Sequence, residues 1–167
     1  LRAMRLLVSK VVHAAGGSPK AQRLLIHARN GRFTKTRRDP WVNLLRSTAE
    51  SFAAAVGGAD SVATAPFDIA LESSDDFSLR IARNTQLILR EEARVADVVD
   101  PAGGSYFIER LTEEMARAAW EVFRQLESAG GMENALKSGR VASWLEETER
   151  ARELAVRSRK RPILGVS

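Results

Sequence analysis

The chain is predicted to be an α/β protein, with one strand–helix–strand unit followed by a mostly helical half. Three observations carry that expectation. A short apolar run, Arg23-Leu24-Leu25-Ile26-His27-Ala28, lies between Pro19 and the polar pair Asn30-Gly31, and a second β-rich run, Ala59 to Ala65, opens directly after Gly57-Gly58. Between them, residues 40–56 repeat apolar side chains at helical spacing. From Ser74 onward three- and four-residue spacing persists and strand patterns do not return convincingly.

Taken in order, Leu1, Met4, Leu7, Val8, Val11 and Val12 form one stripe of a first helix that closes near Gly16-Gly17. Residues 23–28 suit a strand buried on both faces. A strongly basic loop, Arg29 to Arg38, reads as a surface loop or as a contact for phosphate or carboxylate. Asp39-Pro40 supplies an N-cap and a first-turn proline for a helix over 40–56, with Trp41, Leu44, Leu45, Thr48 and Phe52 expected inward. A second strand follows at 59–65. Strand, helix and strand then make two parallel strands joined by a right-handed crossover, with their outer edges unpaired. Two strands do not make an independent sheet, so more are expected from another chain or from a longer one.

The next helix has Ser73, Ser74 and Asp75 as capping candidates and Asp76 in its first turn, and it buries Phe77, Ile81, Ala82, Thr85, Ile88 and Leu89. Asn84 and Gln86 sit among these, where an amide needs fixed partners such as backbone groups of an adjoining loop. Asp100-Pro101 and Gly103-Gly104 then predict a sharp corner. Thr112 is expected to cap a helix to about Leu126, with Leu111, Met115, Ala118, Ala119, Val122 and Phe123 inward. Gly130-Gly131, a short helix over 132–137 and a long one over 140–159, with glutamates early and arginines late, complete the chain.

With 167 residues the chain has enough material for one core. It shows no apolar run of membrane-spanning length and no signal segment, so a cytoplasmic protein without membrane contact is expected. It begins with leucine rather than methionine, as a fragment or a processed piece would. The net charge of +5 arises from 26 basic and 21 acidic residues that mostly alternate along helices, which is the pattern of a solvated surface. No aromatic interleaving, zinc finger or helix-turn-helix accompanies the basic clusters 29–38 and 157–161, so nucleic acid is not an expected partner. Without cysteine there is no thiolate chemistry, and His13 and His27 are the only imidazoles, which makes a protein-built metal site improbable. Arg90-Glu91-Glu92 and Glu146-Glu147 read as solvated helix faces, and Trp41, Trp120 and Trp144 as core or interface anchors.

Two motifs at fixed spacing, Ile81-Ala82-Arg83-Asn84-Thr85-Gln86 and Asp100-Pro101-Ala102-Gly103-Gly104-Ser105, are the most specific feature. With Gly130-Gly131-Met132 and Ile163-Leu164-Gly165-Val166 they resemble the coenzyme-B12-dependent acyl-CoA mutases, the methylmalonyl-CoA mutase family, over nearly the whole chain. The resemblance implies the C-terminal portion of a (β/α)8 barrel. Residues 1–72 would hold its last units, with the two strands as barrel strands seven and eight, and residues 73–167 a helical region that wraps it. It also implies a separate cobalamin-binding domain, whose Asp-x-His-x-x-Gly motif this chain lacks.

In active members of the family, strand seven presents histidine and then glutamine two residues on. Here the pair is His27 and Arg29. His27 reads as a buried, satisfied histidine or as a contact for a thioester carbonyl or ribose, and Arg29 as a weak substrate contact. Strand eight of active members reads Gln-Ser-Leu-His-Thr-Asn-Ala-Leu-Asp-Glu. Its asparagine and glutamate, which are expected to bind the adenosyl ribose, fall on Ala65 and Ile69, which offer no side-chain hydrogen bond. The glutamine becomes Asp60. Ser61 matches, either as a CoA contact or as a hydroxyl bonded to local backbone. No confident catalytic residue, metal ligand or cofactor ligand remains.

The resemblance therefore implies part of the small, non-catalytic subunit, inactive alone, binding no cofactor by itself and stabilising a catalytic large subunit. Adenosylcobalamin is expected on that partner or on a missing domain, with acyl-CoA as a ligand that Ser61 and Arg29 can touch. The alternative is a fragment of the substrate barrel of an active B12-dependent mutase.

Overall fold

The computed structural model describes residues 1–71 and 74–165. Residues 1–116 and 117–167 form two compact units, and the boundary falls inside one long helix.

The first unit opens with α1 (Arg2–Ala14), then β1 (His27–Arg29), α2 (Val42–Val56) and β2 (Ser61–Ala63). A 3-10 turn (Ile69–Leu71) leads to α3 (Asp76–Leu87), which runs into a π turn (Ile88–Glu92), and α4 (Tyr106–Ser128) starts in this unit. The mixed architecture is that of an α/β protein. Among the described residues the sheet has two strands, β1 and β2, in parallel. The strands are shorter than the apolar runs that announced them, and β1 lies at the C-terminal end of its run, since residues 23–26 are not paired in the ladder. Ile26, buried next to β1, uses its carbonyl to accept the N–H groups of Asp60 and Ser61.

α2 corrects the expected packing. Its buried residues are Asn43, Ser47 and Ser51, whereas Leu45 is 71% exposed and Trp41 56%. The reason is the company the helix keeps. The loops leaving both strands bring backbone groups against it, and buried backbone groups need polar partners. Ser47 Oγ donates to the Ala65 carbonyl at 3.2 Å, and Asn43 Nδ2 donates to the carbonyls of Thr36 (2.9 Å) and Phe67 (2.8 Å). Asp39 does not cap the helix. It adopts φ +46°, outside the extended region an N-cap needs, and α2 begins three residues later with no side-chain cap. Trp41 instead stacks on buried Phe67, with ring centroids 4.5 Å apart, and Phe77 meets both rings edge-on.

α3 is capped by Asp75. Its carboxylate accepts the Ser78 N–H at 2.8 Å while Ser78 Oγ accepts the Asp75 N–H at 3.1 Å, a reciprocal capping box. Of the other two candidates, Ser74 donates its hydroxyl to the Asp68 carboxylate at 2.8 Å, and Ser73 lies outside the described residues. Ala82 and Leu89 are buried, but Phe77 and Ile88 stay 42% and 49% exposed. The corner after α3 forms as expected. Asp100 takes φ +54° and Gly104 φ +78°, and a Cβ on Gly103 would stand 2.8 Å from the Asp100 carboxylate. Glu109 Oε1 accepts the Gly104 N–H at 3.2 Å and the Arg2 guanidinium at 2.6 Å, so α4 starts at Tyr106, directly on this corner, and Thr112 is inside the helix rather than at its cap. Ala116 is the buried residue of α4, and Leu111, Met115, Val122 and Phe123 face outward.

In the second unit, α5 (Gly131–Lys137) packs on α6 (Arg140–Arg157), each entered through a left-handed glycine, Gly130 (φ +91°) and Gly139 (φ +74°). Ala135 is fully buried there. Exposed pairs Lys137–Glu133, Arg150–Glu146 and Arg157–Glu153 at helical spacing confirm Glu146 on a solvated face. Trp120 stacks on Phe123, and Arg140 lies 5.5 Å over the Trp144 ring.

Candidate functional site

Strand alternation and the parallel register decide what meets on the open face of the sheet. His27 pairs with Ser61, and Arg29 with Ala63, so these four share one face while Ala28 and Val62 turn to α2. Three residues named from the sequence are thus brought together. His27 Nδ1 and Ser61 Oγ are 2.7 Å apart, and both residues are exposed. This bond orients the exposed imidazole. Ser61 uses its hydroxyl on the neighbouring strand rather than on local backbone. Arg29 stands two residues on, exposed, with Ala63 beside it.

The other two named positions are built differently. Ala65 is 8% exposed, and its backbone is fully engaged: its N–H donates to Asn30 Oδ1 at 2.7 Å and its carbonyl accepts Ser47 Oγ at 3.2 Å. Ile69 begins the 3-10 turn, half-buried, with its N–H on the Pro66 carbonyl. Neither side chain has a polar atom to offer a sugar hydroxyl.

Asp60 is drawn into the frame. Its carboxylate accepts the Ile26 N–H at 2.8 Å and pairs with Arg5, whose guanidinium also donates to the carbonyls of Leu24 and Gly58. The Ile26 N–H first, and then Arg5, hold the Asp60 carboxyl below the ordinary aspartate value. The basic loop is likewise pinned. The side chain of Lys35 is wholly buried and its Nζ lies 2.9 Å from Glu50, which also takes the Thr34 hydroxyl. Burial pushes the Glu50 carboxyl up, but the Thr34 and Lys35 hydrogen bonds and the Lys35 charge outweigh it, and its pKa is lowered. Arg37 Nε donates to the Ala70 carbonyl at 3.0 Å.

Sequence reasoning missed this polar interior of Asn30, Lys35, Asn43, Ser47 and Ser51. Its one available signal was the four-residue spacing of Asn43, Ser47 and Ser51, which marks a helix face as surely as an apolar stripe does. His13 lies in the last turn of α1 beside Gln22, and among the described residues no group of three or more potential ligands could hold a metal ion. No helix among them is long and apolar enough to cross a membrane.

The strand–helix–strand unit and the two spaced motifs beyond it agree with the family that the motifs resemble. A family model described as methylmalonyl-CoA mutase matches residues 1–167, and the chain belongs to that family. It is 47% identical to the methylmalonyl-CoA mutase small subunit of Streptomyces virginiae over 167 residues, all of this chain and 27% of that protein. It is 50% identical to the small subunit of Propionibacterium freudenreichii subsp. shermanii over 135 residues, 79% of this chain and 21% of that one. The large subunit of Porphyromonas gingivalis is 37% identical over 168 residues, covering 100% of this chain and 24% of that subunit. The chain therefore spans about a quarter of the length of these relatives.

Proposed function

We propose that the chain is part of the small, non-catalytic subunit of a methylmalonyl-CoA mutase-type acyl-CoA isomerase, and that it stabilises a catalytic large subunit in the cytoplasm. In this reading its two strands are the last two of an eight-stranded barrel, residues 1–72 close that barrel, and residues 73–167 wrap it. The observation that carries the reading is Ala65. At a position where the family resemblance implies a ribose contact, the side chain is a methyl group and the backbone is already bonded to Asn30 and Ser47. The residues present do not fit an adenosyl group.

His27, Ser61 and Arg29 retain a polar face that can take an acyl thioester: an exposed imidazole, a hydroxyl that holds it, and a guanidinium for a carboxylate. In this reading they bind and orient the thioester.

The test is co-purification with a catalytic large subunit, such as that of Porphyromonas gingivalis, and equilibrium dialysis against adenosylcobalamin. Stable association with no cobalamin retained by this chain is the expected result. Mutase turnover, or cobalamin binding, without the large subunit would overturn the proposal.

A further inference from the structure

Asn30 is followed by glycine, alone among the asparagines of the chain. A glycine there has no Cβ to keep its backbone nitrogen from the amide carbon before it, which makes the pair a labile setting for a thermolabile residue. Gly31 is exposed, and its chain neighbours aside no atom lies within 4 Å of where a Cβ would stand on it. Its carbonyl accepts the Thr34 hydroxyl at 3.2 Å, while its N–H has no hydrogen-bond partner among the described residues. Asn30 is the reverse. It is 7% exposed, its Oδ1 accepts the Ala65 N–H at 2.7 Å, and its Nδ2 donates to the Ser47 carbonyl and to Ser51 Oγ, both at 3.4 Å. The attacking nitrogen is loose and the amide that it would attack is held.

We propose that Asn30–Gly31 is a deamidation site gated by the fold: the closed strand-end clamp guards the amide, and once opened and modified the clamp does not close again. The Gly31 nitrogen gives its proton to solvent base and bonds to Asn30 Cγ, the Cγ–Nδ2 bond breaks, and ammonia leaves. Water then opens the five-membered ring at either carbonyl. One opening leaves aspartate, and the other leaves isoaspartate, with the main chain rerouted through the former side chain. One water is consumed and one ammonia released, so no oxidant or reductant enters. Expelling Nδ2 requires its bonds to Ser47 and Ser51 to break, and burial keeps solvent base from the reacting carbon, so the reaction runs through locally opened molecules.

The product is what makes the change lasting. A carboxylate at position 30 still accepts the Ala65 N–H, but its second oxygen meets the Ser47 carbonyl, acceptor against acceptor, and a charge is buried where an amide was. Isoaspartate also lengthens the backbone by one carbon directly after β1 ends at Arg29. Either product loosens the tie between the two strands and α2, beside the face that carries His27, Arg29 and Ser61. The inference concerns the chain's own chemistry and does not depend on the subunit reading.

The experiment incubates the 167-residue chain at mildly alkaline pH, in native buffer and in urea, and follows the peptide that holds Asn30 and Gly31 by mass spectrometry for the exchange of amide for acid. The native chain is expected to react there at least about tenfold more slowly than the chain in urea, since only opened molecules react. Ser51→Ala takes one partner from Nδ2 and should speed the native reaction about threefold, the strength of one weak hydrogen bond. Gly31→Ala, compared with the parent in urea so that folding plays no part, should slow the reaction about tenfold or more, because a Cβ shields the attacking nitrogen. Asn30→Asp, the product made directly, should melt at least about 4 °C below the parent. Equal rates in native buffer and in urea, or no modification at Asn30 in either, would overturn the inference. So would an unchanged rate in Gly31→Ala or in Ser51→Ala, or an Asn30→Asp chain that melts with the parent.

Discussion

Asn30 and Ala65 are joined by a hydrogen bond that lies beyond the strand ladder: the Asn30 side-chain oxygen accepts the Ala65 N–H at 2.7 Å, and the rest of the amide points to Ser47 and Ser51 on α2. One buried side chain thus extends the pairing of β1 and β2 past their ends and ties both to the helix. Replacing it with leucine leaves the Ala65 N–H buried and unpaired. Asn30→Leu should cost about 2 kcal/mol, read as a lower urea midpoint with unchanged slope.

Asn43 is the deepest tie in the first unit. Its amide accepts the Thr36 N–H at 3.0 Å and donates to the carbonyls of Thr36 and Phe67, with no exposure at all. Asn43→Ala strands several backbone groups at once and is expected to cost roughly 3 kcal/mol. If thermal melting moved by less than 2 °C, the buried network would have no bearing on stability.

Lys35 and Glu50 form a pair whose cation is wholly buried and whose carboxylate keeps 27% exposure. Removing the carboxylate alone leaves an uncompensated buried ammonium. Glu50→Ala should destabilise by about 3 kcal/mol, the lower end for such pairs because Glu50 is partly solvated, while Lys35→Met with Glu50→Leu should recover most of it. A double variant no better than the single one would show that packing rather than charge sets the cost.

Acid should act through Asp60 and Glu50, since both carboxyls are held below their ordinary values in the folded chain. A folded pKa lower than the unfolded one means that the unfolded state binds more protons. The stabilisation is therefore complete above the ordinary carboxylate value of about 4 and is lost as pH falls through the lower folded value. Melting temperature should drop as pH falls below roughly 4, and Asp60→Asn should flatten part of that drop. An identical acid profile in Asp60→Asn would remove Asp60 from the account.

Restoring the polar residues that the family resemblance implies should be asymmetric. Ala65 is buried with both backbone groups engaged, so Ala65→Asn overpacks the site and should lose about 1–3 kcal/mol. Ile69, half-buried at the start of a 3-10 turn, should accept glutamate with a smaller loss. Equal tolerance of both changes in a thermal scan would show that Ala65 has room for an amide, and would weaken the case that this position is closed to a ribose.

Much of this protein was legible without coordinates. The α/β class, the strand–helix–strand order, the Asp75 cap and the glycine corner follow from local rules of residue period, caps and forced backbone angles, and strand alternation puts His27 and Arg29 on one face, whereas the register that brings Ser61 to His27 is a property of the folded sheet. The family followed from motif spacing. What the amino-acid order could not reveal was which face of α2 turns inward. Its apolar stripe through Leu45 and its small polar stripe through Asn43, Ser47 and Ser51 both have helical period. Only the approach of the strand-end loops, whose carbonyls and amides demanded partners, selected the polar one. The same holds for Asp60, Lys35 and Ala65: their roles depend on residues far along the chain, and such partners become definite only when the fold brings them within hydrogen-bond reach.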